Sequence, residues 1–346
     1  MVQIIQYLHS IAYIYYYIFN LFKYLFYNLS GQTGAGKTYT ILGNLEDNSS
    51  FLNNDKIMQL LKGNERGILP RALCLILQEY QKKAKKYKLF ISFYEVYNEK
   101  IYDLFNGSNQ KDGLEIREFK NGEVQIPDLI QIQINDINQA LDMLIIGLKN
   151  RATGQTMANS KSSRSHSIFQ IQLQHINGDK ISDTYLKIVD LAGSEKFKIP
   201  HDISNSEKEL RIQELTCING SLSSLGHCIT ALTDKKRTHI PFRNSKLTRV
   251  LSDSLSGKGK IAFIVCISPS MSSSQETFST LQFANRAKRA ILDSRNLKND
   301  KFENLKEEQI SLKEHLELKI EYNKEIQLRE KLQQILKDLK DNNDYD

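Results

Sequence analysis

The chain has 346 residues, and at roughly 150 residues per domain that is room for two units, or for one large domain with an appendage. Hydrophobic residues make up 40% and charged residues 25%, close to the soluble globular average, which excludes a wholly disordered chain and a polytopic membrane protein. Lys+Arg 47 against Asp+Glu 40 leaves +7, an excess that favours an anionic partner such as nucleic acid, an acidic protein surface or a phosphate ligand, without choosing among them.

Residues 1–30 are rich in Tyr, Ile and Phe, with one charged residue, Lys23, and no Gly or Pro. A secretory signal would need a basic n-region and a small-residue cleavage site, and neither is present. Leu8 to Phe26 is long enough to span a bilayer, but Asn20, Lys23 and five tyrosines fall inside it, which disfavours an anchor. We read its end, Leu25 to Ser30, as a buried strand leading into the next motif, and the rest as a non-native or misassigned start.

Gly31, Gln32, Thr33, Gly34, Ala35, Gly36, Lys37 and Thr38 then fit G-x-x-x-x-G-K-[ST]. In this pattern glycines let successive backbone N–H groups turn inward around phosphate oxygens. Lys37 would place a point charge against the β- and γ-phosphates, Thr38 would offer its hydroxyl to Mg²⁺, and a helix starting here adds its positive dipole end. The polar stretch Asn44 to Asn64 reads as a surface insertion.

From there to about residue 292 apolar runs alternate with amphipathic ones. The periodicity predicts strands at Leu89–Val96, Ile168–Leu173, Tyr185–Asp190 and Ile261–Ser268, and helices at Arg71–Lys86, Ile137–Lys149, Gln213–Leu232, Ser245–Leu255 and Thr277–Ile291. That alternation is an α/β sheet with helices on both faces. Two segments within it offer groups for a metal-bound phosphate. Asn159 to His166 packs hydroxyls and a guanidinium ahead of a strand, or is an ordinary Ser-rich turn. Asp190 to Glu195 ends an apolar strand on a carboxylate followed by a glycine, or is a plain strand end with a turn. Cys74, Cys217, Cys228 and Cys266 lie too far apart for a zinc site or a disulfide scaffold, and reduced thiols suit the cytosol.

After residue 292 Lys, Glu, Leu and Gln dominate without Gly or Pro, as in a long solvated helix. Leu328, Leu332, Ile335 and Leu339 step as a coiled-coil seam does. Dimerisation through this segment and a single exposed helix both fit.

Together the motifs GQTGAGKTYT, GILPRA, SFYEVYNEKIYDL, NSKSSRSHSIF, VDLAGSE, HIPFRNSKLTRVLSDSL and TLQFANRAK resemble a kinesin motor domain. The resemblance implies an atypical N-terminal segment (1–30), a motor domain (31–292) with a mostly parallel central sheet, and a neck or coiled-coil-like helix (293–346). It implies an ATPase using Mg²⁺, which moves along microtubules in the cytoplasm and does not bind nucleic acid. By the same resemblance Ser163 would join Thr38 around Mg²⁺, Asp190 would hold it through water, and the Gly193 N–H would meet the γ-phosphate. Arg164 and Glu195 would pair across the two loops, so that the Ser162 region and Glu195 position the attacking water. The helix holding Gln213 to Gly226 would lie on the microtubule with Lys235, Lys236, Arg237, Arg243, Lys246 and Arg249, six cations facing acidic tubulin.

The chain departs from the family in two places. No Arg-x-Arg-Pro strand precedes the phosphate loop, the first arginine being Arg66 and the first proline Pro70. The sheet is therefore expected to lack that strand and a second one ahead of the loop, and a non-catalytic microtubule-binding protein is the alternative this raises. The tubulin-facing Asn-Ile-Asn-Lys-Ser-Leu reads Cys217-Ile-Asn-Gly-Ser-Leu222, with one positive charge fewer.

Overall fold

The computed structural model describes residues 24–44, 58, 61–83, 86–107, 112–119, 123–153, 164–178, 180–195, 204–234, 237, 239–258 and 260–302. The chain divides into two units, Met1–Arg295 and Asn296–Asp346. In chain order the strands are β1 (Tyr24–Ser30), β2 (Tyr87–Tyr97), β3 (Lys100–Asp103), β4 (Arg117–Glu118), β5 (Val124–Gln125), β6 (Ile132–Gln133), β7 (His166–Asn177), β8 (Lys180–Asp190) and β9 (Lys260–Val265). The helices are α1 (Lys37–Leu42), α2 (Ile68–Lys83), α3 (Ile137–Thr153), α4 (Asn205–Thr233), α5 (Lys246–Asp253) and α6 (Ser274–Phe302).

The central sheet runs β3-β2-β7-β8-β1-β9, with β6 beside β2. It is mixed. β1 lies parallel to β8 on one side and to β9 on the other, while β2, β7 and β8 are joined antiparallel. The parallel part is therefore concentrated in β8, β1 and β9, and β1 and β8 carry candidate motifs at their C-terminal ends, which is where α/β sheets place ligands.

Side chains one residue apart point to opposite faces, and each face has its own core. Phe93, Phe169 and Ile188 pack with α1, α2 and α3; their neighbours Tyr94, Ile168 and Val189 pack with α4, α5 and α6. Helix α3 comes so close that a Cβ on Gly147 would meet the Phe93 ring at 2.3 Å. Pro70 sits in the first turn of α2, where a missing N–H breaks no intrahelical bond. Helix α5 opens with a capping box: Ser245 Oγ accepts the Thr248 N–H at 3.1 Å and Thr248 Oγ1 accepts the Ser245 N–H at 3.2 Å.

The buried strand expected at Leu25 to Ser30 is β1, in which Asn28 and Leu29 are fully buried. It shows little alternation because it is flanked on both edges and covered on both faces. The coiled-coil seam and most of the Asn44 to Asn64 insertion fall outside the described residues. Among the described residues no helix is long and apolar enough to cross a membrane.

Candidate functional site

Strand register assembles the site. Leu29 pairs with Asp190 on one side and with Ile264 on the other, so β1, β8 and β9 end together and release their loops at one edge. Ser30 O accepts the Cys266 N–H at 2.8 Å. Gly31 follows with φ 151°, and a Cβ there would fall 2.1 Å from the Cys266 carbonyl oxygen; only glycine lets the chain turn here. Gly34 and Gly36 also have positive φ, 79° and 93°, and their Cβ positions face open space.

The Thr38 hydroxyl donates to Asp190 Oδ2 at 3.0 Å. Two oxygen donors from separate motifs thus stand side by side at a strand end. Asp190 is further held by Arg151, whose Nη1 lies 3.5 Å from Oδ2, and its other oxygen, Oδ1, is buried with no hydrogen-bond partner. A buried carboxylate oxygen with free lone pairs beside a threonine hydroxyl fits a hard cation such as Mg²⁺ or its water shell. The Lys37 ammonium donates to Gly31 O at 2.7 Å and Gln32 O at 2.9 Å. Burial lowers the Lys37 pKa, with Asp190 and Glu195 acting in the opposite direction. A desolvated ammonium resting on its own loop's carbonyls is well placed to exchange them for a phosphate.

Glu195 leans over the same loop. Its Oε2 accepts the Thr33 N–H at 2.8 Å and its Oε1 is a buried acceptor without a partner. The carboxylate and the Thr33 hydroxyl crowd Gly193 so closely that a Cβ there would lie 2.3 to 2.5 Å from them.

Arg164 does not reach Glu195, contrary to the expected pairing across the loops. Its Nη1 donates to Glu214 Oε2 at 2.7 Å, both side chains being about one-sixth exposed, and Glu214 Oε1 also accepts the Tyr97 hydroxyl. The physical reason is that each partner is already engaged: α4 brings a carboxylate to the guanidinium, and the Thr33 amide takes Glu195. Ser162 and Ser163 lie outside the described residues, as do Lys235 and Lys236. Of the other candidate cations, Arg243 reaches Glu118 at 2.9 Å, Lys246 reaches Glu115 at 3.4 Å and Arg237 reaches Asp234 at 3.6 Å. Arg249 is half-buried.

Sequence reasoning passed over Arg151, Tyr97, Glu214 and the buried His166. Each acts through a partner tens of residues away, and spacing along the chain carries no trace of such contacts.

The sequence profile of the kinesin motor domain matches residues 24–290. Kinesin-related protein 3 of Dictyostelium discoideum is 39% identical over 262 residues, covering 75% of this chain and 20% of that protein. Kinesin-like protein Klp61F of Drosophila melanogaster is 40% identical over 270 residues, covering 75% of this chain and 24% of that protein. The chain thus spans about a fifth to a quarter of the length of these relatives. A solved structure of a fast kinesin superposes with a TM-score of 0.67 at 36% identity, covering 80% of this chain and 73% of that one. Mutant structures that bear on activation of the kinesin motor ATPase give 0.61 at 32% identity, covering 81% and 76%.

Proposed function

The chain belongs to the kinesin motor-domain family, and from that premise we propose that it hydrolyses ATP with Mg²⁺ and couples the reaction to movement on microtubules. The observation that carries the reading is the convergence of Thr38, Asp190, Lys37 and Glu195 at the ends of β1 and β8, with a buried, unpartnered oxygen on each carboxylate.

In this reading the amides of Gly31 to Thr38 hold the phosphates, and Lys37 moves from its own loop's carbonyls onto them. Thr38 and Ser163 would hold Mg²⁺, Asp190 would hold it through water, and the Gly193 N–H would meet the γ-phosphate. The metal supplies charge stabilisation for phosphoryl transfer to water. Glu195 releases the Thr33 amide, pairs with Arg164 and, with the Ser162 region, orients the water and takes its proton. Positioning and electrostatics do the work without a covalent intermediate.

Helix α4 and the cations Lys235, Lys236, Arg237, Arg243, Lys246 and Arg249 form the track-facing side, complementary to an acidic tubulin surface. The spacing of Leu328, Leu332, Ile335 and Leu339 would suit a homodimer seam, with a single exposed helix as the alternative, and the protein works on the microtubule cytoskeleton in the cytoplasm.

ATP turnover measured with and without microtubules tests the proposal. Stimulated hydrolysis is expected, with Glu195→Ala retaining ATP binding and losing turnover by about a hundredfold, as for removal of a group that handles the proton. Folded protein that binds microtubules without any stimulated turnover would overturn it in favour of a non-catalytic binder.

A further inference from the structure

His166, the first residue of β7, is 2% exposed and sits between the Asp190–Glu195 loop and α4. Its Nδ1 accepts the Ala192 N–H at 2.9 Å, so the ring proton resides on Nε2. Nε2 lies 2.9 Å from Ser221 Oγ on α4, and Ser221 in turn donates to the Ile218 carbonyl at 2.8 Å. A backbone donor at one end and a backbone acceptor at the other leave the three bonds a single polarity: Ala192 N–H to imidazole, imidazole N–H to hydroxyl, hydroxyl to Ile218 O. Burial, with the Arg151 and Lys37 cations adding to it, holds the imidazole pKa down to about 3, so the ring is neutral and the tautomer persists.

We propose that His166 is a positioning residue whose fixed-polarity chain of hydrogen bonds ties the amide next to Gly193 to the middle of α4, transmitting the position of the Asp190–Glu195 loop to that helix. The three links are short and buried, and Ala192 and Ser221 are themselves 1% and 3% exposed. Moving Gly193 toward or away from a phosphate therefore drags a buried donor. Leaving that donor unpaired is costly, so the ring and Ser221 follow. The inference rests on the proposed hydrolysis for its consequence, while the linkage itself is testable without it.

The test uses the full chain with Ser221→Ala, His166→Gln and the double variant. Two readouts are taken: amide hydrogen exchange of residues 190–195, and the ratio of microtubule-stimulated to basal ATP turnover. Ser221→Ala, which cuts the chain on the helix side and leaves the Ala192 bond in place, should speed exchange in residues 190–195. It should keep basal turnover within twofold of wild type and lower the stimulation ratio about two- to tenfold, the scale of one net hydrogen bond. The double variant should lose no more of the ratio than the worse single variant, since links in series fail once. Wild-type exchange in Ser221→Ala, an unchanged ratio, or additive losses in the double variant would each overturn the proposal. Should wild type itself show no turnover, the hydrolytic reading falls and the exchange measurement alone decides the linkage.

Discussion

The pairing of Arg164 with Glu214 makes a quantitative prediction. The two side chains meet at 2.7 Å and are about one-sixth exposed, and the Tyr97 hydroxyl shares the carboxylate. Removing one partner of a fully buried pair costs about 3–5 kcal/mol, whereas exposed pairs are worth about 0–1 kcal/mol. Partial exposure lets water solvate the guanidinium once the Glu214 charge is gone, so Glu214→Gln should destabilise the domain by about 2 kcal/mol. At about 2–4 °C per kcal/mol for a domain of this size, the melting temperature should fall by about 4–8 °C. Urea unfolding of wild type, Arg164→Ala, Glu214→Ala and the double variant gives the pairwise term, expected at about 1–2 kcal/mol. Glu214→Gln also removes the charge that competes with Glu195 for Arg164, so basal ATP turnover in that variant should rise. A coupling energy below about 0.3 kcal/mol, within the ordinary error of additivity, would refute the argument that Glu214 holds Arg164 in place.

Three further outcomes follow from particular residues. Gly31→Ala, whose Cβ would meet the Cys266 carbonyl oxygen at 2.1 Å, should lose about 1–3 kcal/mol from the backbone conformation alone, with the clash added, and urea midpoints will show it. Gly220 lies exposed in α4 with nothing within 4 Å of its Cβ position. Gly220→Ala should therefore raise stability by about 1 kcal/mol in the same assay, and Gly220→Lys should add tighter microtubule co-sedimentation. His166 has a folded pKa of about 3 against an ordinary 6.5, so the unfolded chain takes up the proton first. Its stabilising contribution is complete well above pH 6.5 and is lost on acidification, on the order of 1 kcal/mol of it by pH 5.5. Urea unfolding between pH 7.5 and 5.5 should show that slope in wild type and a shallower one in His166→Gln.

The helices and the longer strands were legible because their apolar spacing is periodic, and the phosphate loop because its glycines have no other common use. β7 runs past its predicted end at Leu173 to Asn177, since alternating Gln170, Gln172 and Gln174 continue a pattern that the apolar run alone stops short of. The β2–β3 hairpin turns at Asn98 and Glu99, both at positive φ, 48° and 54°. A glutamate in that conformation is no turn signal, and its carboxylate instead accepts the Lys246 N–H at the start of α5 at 2.7 Å. The candidate site was legible as motifs and illegible as partnerships. Arg164 and Glu195 are both where the family pattern puts them, yet which carboxylate the arginine holds depends on how α4 lies against β2.

Helix α4 has 29 residues, about 43 Å at 1.5 Å per residue, and the histidine contact falls at Ser221, slightly beyond its midpoint. A buried fulcrum there makes the helix a seesaw. A tilt of about 10° about that point would carry the Asn205 end roughly 4 Å and the Thr233 end roughly 3 Å in opposite senses, taking about 1.5 Å per residue. A tilt that leaves the hydrogen-bonded middle of the helix nearly in place is thus a displacement about the width of a side chain at its tips.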